Sequence, residues 1–114
     1  MLCGYCEMVY TKEGKIYLGN AFKDKKEGFG IYITLNPKRI YIGFWMHNKQ
    51  EGLGKLINEK SSKYGFWNEG ERLKWYDNFN EAISTLSIQT EKFTRFFKME
   101  IKEVNKYLKT LSII

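Results

Sequence analysis

The chain has 114 residues, a net charge of +6, 43% hydrophobic and 17% aromatic side chains. That is one domain with enough apolar material for a core, so a disordered chain is excluded. No run of eighteen apolar residues marks a membrane-spanning helix, and two cysteines exclude a disulfide framework.

The first residues, Met1-Leu2-Cys3-Gly4-Tyr5-Cys6-Glu7, hold no basic region and no long apolar stretch. They do not read as a signal peptide, and the early acid argues against a transit peptide. A reducing, intracellular setting is expected, cytoplasmic or cytoskeletal. Cys3 and Cys6 form a C-x-x-C, but a redox pair needs a following helix, and β-patterned sequence follows here. Zinc needs four ligands, and the chain adds only His47, far along the sequence. The plainer reading is a terminal strand whose small residues fill repeat positions. No metal and no cofactor is expected.

A repeat runs from there. Tyr17-Leu18-Gly19 precedes Gly28-Phe29-Gly30, and Tyr41-Ile42-Gly43-Phe44-Trp45 precedes Gly52-Leu53-Gly54, with the two copies twenty-four residues apart. A degraded third copy follows as Tyr64-Gly65-Phe66-Trp67-Asn68-Glu69-Gly70. Each half-repeat alternates with period two and predicts a strand. Tyr41, Gly43 and Trp45 share one face, as do Gly52, Gly54 and Leu56. Glycine weakens a strand unless something must approach its backbone, and the expected visitor is an aromatic ring of the neighbouring hairpin. Asn36-Pro37-Lys38-Arg39 and Asn58-Glu59-Lys60-Ser61-Ser62 predict turns.

The pattern resembles the MORN repeat, through Tyr17, Gly19, Gly28 and Gly30, then Tyr41, Gly43, Trp45, Gly52 and Gly54, then Gly65, Trp67 and Gly70. The first copy has Ala21 in place of the Trp, and the third ends in Lys74-Trp75-Tyr76 instead of a Gly-x-Gly. The resemblance implies an α+β fold. A short array of stacked antiparallel hairpins occupies residues 1–76 as a single-layer sheet, and one or two helices fill 77–114. It also implies an interaction module without catalysis, a small structural subunit of a larger protein assembly such as cytoskeleton or axoneme.

The opposite sheet face reads Leu18, Phe22, Phe29, Ile31, Ile33, Ile42, Phe44, Leu53 and Phe66. The resembling family is usually polar there. A patch that apolar must be covered, by the C-terminal segment or by a partner.

After Tyr76, Gly and Pro vanish. Asn78 with Glu81 three residues on predicts a helix start. Apolar residues then recur at Phe79, Ile83, Leu86, Phe93, Phe97, Ile101, Val104, Leu108 and Leu111, by threes and fours apart from one gap filled by Thr90. Unbroken, this helix would span about 50 Å. The Ser84 to Thr90 region is the expected break. The first helix, Phe79 to Leu86, is expected to fold back on the sheet. The remainder, through Phe93, Phe97, Ile101, Val104, Leu108 and Leu111, is the candidate partner-binding element.

No Ser/His/Asp set and no carboxylate dyad is legible, and Gly28-Phe29-Gly30 and Gly52-Leu53-Gly54 lack the helix and Lys-Ser/Thr of a phosphate loop. Asp24, Glu27 and Glu51, flanked by lysines, read as surface pairs, and His47 as a solvated turn residue. Residues 1–76 hold thirteen basic against eight acidic side chains, and 77–114 six against five. Lys23, Lys25, Lys26, Lys38, Arg39, Lys60 and Lys63 mark hairpin ends. They are either solubilising turns or a basic rim for an acidic protein or anionic phospholipid, which makes a peripheral membrane adaptor the alternative function. Nucleic acid is disfavoured, because the aromatics are needed for stacking between repeats. A homodimer stays open.

Overall fold

Strict alternation sets the first two-thirds of the chain. In Ile40-Tyr41-Ile42-Gly43-Phe44-Trp45 one phase is aliphatic or Phe and the other is Tyr, Gly and Trp, so both faces have apolar surface to bury. The computed structural model describes residues 5–12, 14–35, 38–84 and 91–110. Its strands are β1 (Tyr5–Lys12), β2 (Lys15–Phe22), β3 (Lys25–Leu35), β4 (Lys38–Met46), β5 (Lys49–Ile57), β6 (Ser62–Asn68) and β7 (Glu71–Trp75). They pair antiparallel, in chain order, in one open sheet. This is an array of β-hairpins followed by short helices.

The turns explain the order. Lys23–Asp24 and His47–Asn48 have positive φ at both residues, as do Glu69 and Gly70. That is the geometry of a two-residue type I′ hairpin, whose twist matches the strands it joins. Just beyond, the β2–β3 register shifts between Gly19 and Ala21, and the β4–β5 register between Gly43 and Trp45. Gly28 and Gly52 sit at these irregularities with φ of 82° and 86°, a backbone that side chains with a Cβ rarely adopt. The two repeats are therefore copies in backbone as well as in sequence.

Register also lines up Gly19, Gly30, Gly43, Gly54 and Gly65 in one row across five strands. A Cβ on Gly30 would stand 2.6 Å from Cε1 and Cζ of Tyr17, and one on Gly54 would stand 2.6 Å from the Tyr41 hydroxyl oxygen. The ring over each glycine comes from the paired strand of the same hairpin. This corrects the expectation of a visitor from the neighbouring one: an antiparallel pair brings the tyrosine within reach of the glycine diagonally opposite.

The helices are α1 (Phe79–Ile83), α2 (Glu91–Phe97) and α3 (Ile101–Thr110), three among the described residues where one or two were expected. Asn78 caps α1 as expected, its side chain accepting from the Glu81 amide at 2.8 Å. The expected break at Ser84 to Thr90 falls mostly outside the described residues. A second break, at Lys98 to Glu100, was not foreseen. There the Lys98 amide reaches both Thr94 and Arg95 carbonyls and Met99 bonds Phe96, a tightened last turn.

The helices cover the aliphatic face. Phe97, Val104 and Leu108, all fully buried, join Phe29, Ile31, Ile33, Ile40, Ile42 and Leu53 in one core, with Ala82 and Phe96 beside them. This corrects the assignment of the distal stripe to partner binding. Phe97, Val104 and Leu108 are spent inside the molecule, and Ile101 is partly buried against the same core. The reason is area: a sheet face this apolar takes up the nearest amphipathic helices. The side chain of Phe93 and the whole of Leu111 lie outside the described residues. Phe22 and Phe66 are only half-buried.

Candidate functional site

Among the described residues, no helix contributes to the core cluster of the ring-bearing face. Tyr17, Tyr41, Trp45 and Trp67 are buried there by one another and by Tyr32, Leu56 and Trp75. The rings meet edge to face, Tyr17–Trp45 at 5.8 Å, Tyr41–Trp45 at 5.1 Å, Tyr41–Trp67 at 5.1 Å and Trp67–Trp75 at 6.0 Å, the arrangement ring quadrupoles favour. Tyr17 and Tyr41 donate their hydroxyls to the carbonyls of Asn20 and Phe44, so each ring is held over its glycine. Burial drives the Tyr41 phenol well above its ordinary pKa, with the Glu51 carboxylate adding to the effect. At one end of this ring lattice Lys26 lies 5.3–5.5 Å from Tyr17, Tyr32 and Trp45. At the other, Arg72 stacks on Trp75 at 4.2 Å.

Neighbouring hairpins interlock through two glutamates. Glu27, buried, accepts the backbone N–H of His47 at 2.7 Å, and its carboxylate lies 2.8 Å from His47 Nδ1. Twenty-four residues on, Glu51 accepts the backbone N–H of Glu69 at 3.0 Å. Each bulge thus holds the turn of the next hairpin. Backbone bonds complete the lock, from Asn48 to the Lys26 carbonyl and from Gly70 to the Gln50 carbonyl. Glu27 and Glu51 are therefore structural, not the surface pairs the sequence suggested. The signal that could have found them was their identical place before Gly28 and Gly52.

Lys55 is the residue that sequence reading missed. It lies in the aliphatic phase of β5 between Leu53 and Ile57 and is fully buried. Its ammonium donates to the Met99 carbonyl at 2.7 Å and to Glu100 at 2.5 Å, and stands over the Tyr64 ring at 5.1 Å. Tyr64 donates its hydroxyl to the Phe97 carbonyl at 2.8 Å. The carbonyls freed where α2 ends are thus taken by the sheet, which is why the helix breaks there without Gly or Pro. Burial pushes the Tyr64 phenol up to about 12, and Glu100 adds to it. A lysine in the apolar phase of an alternating strand was the available signal.

The basic residues do not form one rim. In a meander the turns alternate between two ends, so Lys23, Lys25 and Lys26 lie at the end opposite Lys38, Arg39, Lys60 and Lys63. Lys38 contacts the Asn105 side chain of α3, while Lys63 stands 5.5 Å from the Trp75 ring. Of the cysteines, Cys3 lies outside the described residues. Among the described residues no three His, Cys, Asp or Glu side chains form a metal cluster, and no helix is long and apolar enough to cross a membrane. No protein-family model and no curated protein matches the chain.

Proposed function

We propose that this chain is a MORN-type interaction module, a small structural subunit that docks into a larger protein assembly such as a cytoskeletal or axonemal complex. The observation that carries the reading is the interlock of hairpins through Glu27 and Glu51. It joins successive repeats into a rigid ladder, and ladders of this kind present evenly spaced side chains over an extended surface, as repeat proteins do when they bind. Both sheet faces are occupied within the chain, which leaves the ends of the ladder and the outer surfaces of the helices for a partner. The distal apolar stripe is no longer the candidate contact.

The alternative reading, a peripheral adaptor on anionic phospholipid, draws on fewer lysines than the sequence implied. Lys23 and Lys25 are interleaved with Asp24 and Glu27 at their end of the sheet.

The test is size fractionation of native extract with the endogenous chain followed by antibody, combined with cross-linking. The docking reading expects elution far above the mass of 13.6 kDa, with cross-links from array lysines to other polypeptides. Elution as a free small protein, with no inter-protein cross-link, would sink it.

A further inference from the structure

The two ends of the sheet differ in charge. Around the Lys23–Asp24, His47–Asn48 and Glu69–Gly70 turns, lysines alternate with Asp24, Glu27, Glu51 and Glu69. Among residues with described side chains, the end where β2, β4 and β6 begin holds Lys15, Lys38, Arg39, Lys60 and Lys63 against Glu59, with Asp77 just past β7. Glu100 of the helical layer reaches this end but is held by Lys55. Among the described residues of the repeat region, the excess positive charge therefore sits mainly at this end.

Three of these cations are ordered by the repeat. Lys15 and Arg39 flank Thr34 in one row of the register. Each stands two residues before a tyrosine, so both are on the ring-bearing face. Lys63 pairs with Leu56 on that same face. All three are exposed, and neither Lys15 nor Arg39 has an ion-pair partner among the described residues. Lys15 and Arg39 occupy alternate strands, which spaces them by about 10 Å along the hydrogen-bonding direction, while Lys63, on the next alternate strand, lies two residues further along in the Tyr17 and Tyr41 row.

We propose that this end docks an acidic protein segment, an extended stretch with a carboxylate at every third residue. The proposal rests on the protein-docking reading above and names the chemistry of the partner. An extended polyproline-type chain rises about 3.1 Å per residue with three residues per turn, so side chains three apart recur on one side about every 9 Å. That matches the alternate-strand spacing, whereas a lipid surface imposes no spacing. Membrane binding also gains strength from inserted apolar area, and among the described residues at this end Leu35 is the exposed large apolar one, since Met46 and Leu73 lie elsewhere in the sheet.

The test uses the full chain and two synthetic peptides of equal composition, followed by fluorescence anisotropy. One peptide has Glu at every third position in a Pro-rich background, and the other has its Glu residues in one block. The expected result is tighter binding of the spaced peptide, weakened by salt. In the same titration Lys15→Glu with Arg39→Glu should lose about tenfold or more, the scale of removing and reversing two rim charges. Lys23→Glu with Lys25→Glu should stay within about twofold, since those lysines lie at the opposite end of the sheet. Equal binding of both peptides, or unchanged binding by the Lys15/Arg39 variant, overturns the proposal. So does stronger capture by phosphatidylserine vesicles than by the spaced peptide. If the variant loses the peptide yet the endogenous-sized assembly still forms on it, this end is not the docking site but the docking reading stands. A wild-type chain that elutes free in native extract removes the docking reading itself.

Discussion

At the scale of single residues, the glycine row decides whether the sheet can exist. A Cβ on Gly43 would stand 2.7 Å from both the Gly54 Cα and the Leu53 carbonyl oxygen, backbone atoms that cannot step aside. Gly43→Ala should therefore cost roughly 1–3 kcal/mol by overpacking, and Gly43→Val more. At Gly52 a Cβ would meet open space but φ is +86°, so Gly52→Ala should cost about 1–2 kcal/mol through backbone strain alone. Gly14 has open space and φ of +75°, and Gly14→Asn should fall within about 0.5 kcal/mol of wild type, since Asn accepts that conformation. Denaturant melts of the four variants check the ranking, and a Gly43→Ala protein as stable as wild type would refute the close-packed row. The tyrosines add a pH dependence. Tyr64 holds its proton up to about 12 when folded against 10.0 unfolded, and Tyr41 is shifted in the same direction. A raised folded pKa means the stabilisation is complete below pH 10 and drains away as pH climbs from 10 towards 12. Midpoints of unfolding should fall across that window, and fall less steeply in Tyr64→Phe. A midpoint flat to pH 12 would remove burial as the cause.

At the scale of elements, strands were legible and helices less so. Period two together with the twenty-four-residue recurrence gave strands, faces and the glycine positions, because each is a local consequence of pleat and turn. The break between α2 and α3 was not legible. No Gly or Pro marks it, and its cause is Lys55, more than forty residues upstream, taking the Met99 carbonyl. A tertiary donor of this kind leaves no trace in the helical segment's own composition. The split of the basic residues was hidden for a related reason: a linear tally of lysines ignores that successive turns point to opposite ends. Lys55→Met should cost about 1–3 kcal/mol, because it leaves the Met99 carbonyl without its donor. Glu100→Gln should cost under about 1 kcal/mol, since the Glu100 side chain is 51% exposed. Amide exchange at Ile101–Val104 should accelerate in Lys55→Met and little in Glu100→Gln. Equal stabilities and equal exchange in both variants would show that Lys55 does not hold the junction.

For the molecule as a whole, the question is whether the hairpin array stands without its helices. With the repeats ending near Tyr76, a distal stripe free for a partner would let a chain cut after Thr90 keep a folded repeat domain. The structure argues the reverse. Phe96, Phe97, Val104 and Leu108 are at most 7% exposed, and they lie in one core with Phe29, Ile31, Ile33, Ile40, Ile42 and Leu53. Burying four side chains of that size stabilises by roughly 1.5–3 kcal/mol each, or about 6–12 in total, an upper-side figure because the unfolded chain is itself partly compact. A domain of this length has about 5–15 kcal/mol in all. Loss of α2 and α3 therefore removes stability comparable to the whole, and it bares a sheet face of Ile and Phe that would pair with another copy instead of facing water. The chain ending at Thr90 should come out insoluble, or soluble only as oligomers with strong binding of an apolar dye and no cooperative melt. A chain that keeps α2 and α3 but carries Phe97→Ala should keep the wild-type oligomeric state and lose about 3–5 kcal/mol. A monomeric, cooperatively melting protein ending at Thr90 would mean that the ring-bearing face and the Glu27 and Glu51 interlocks hold the array by themselves.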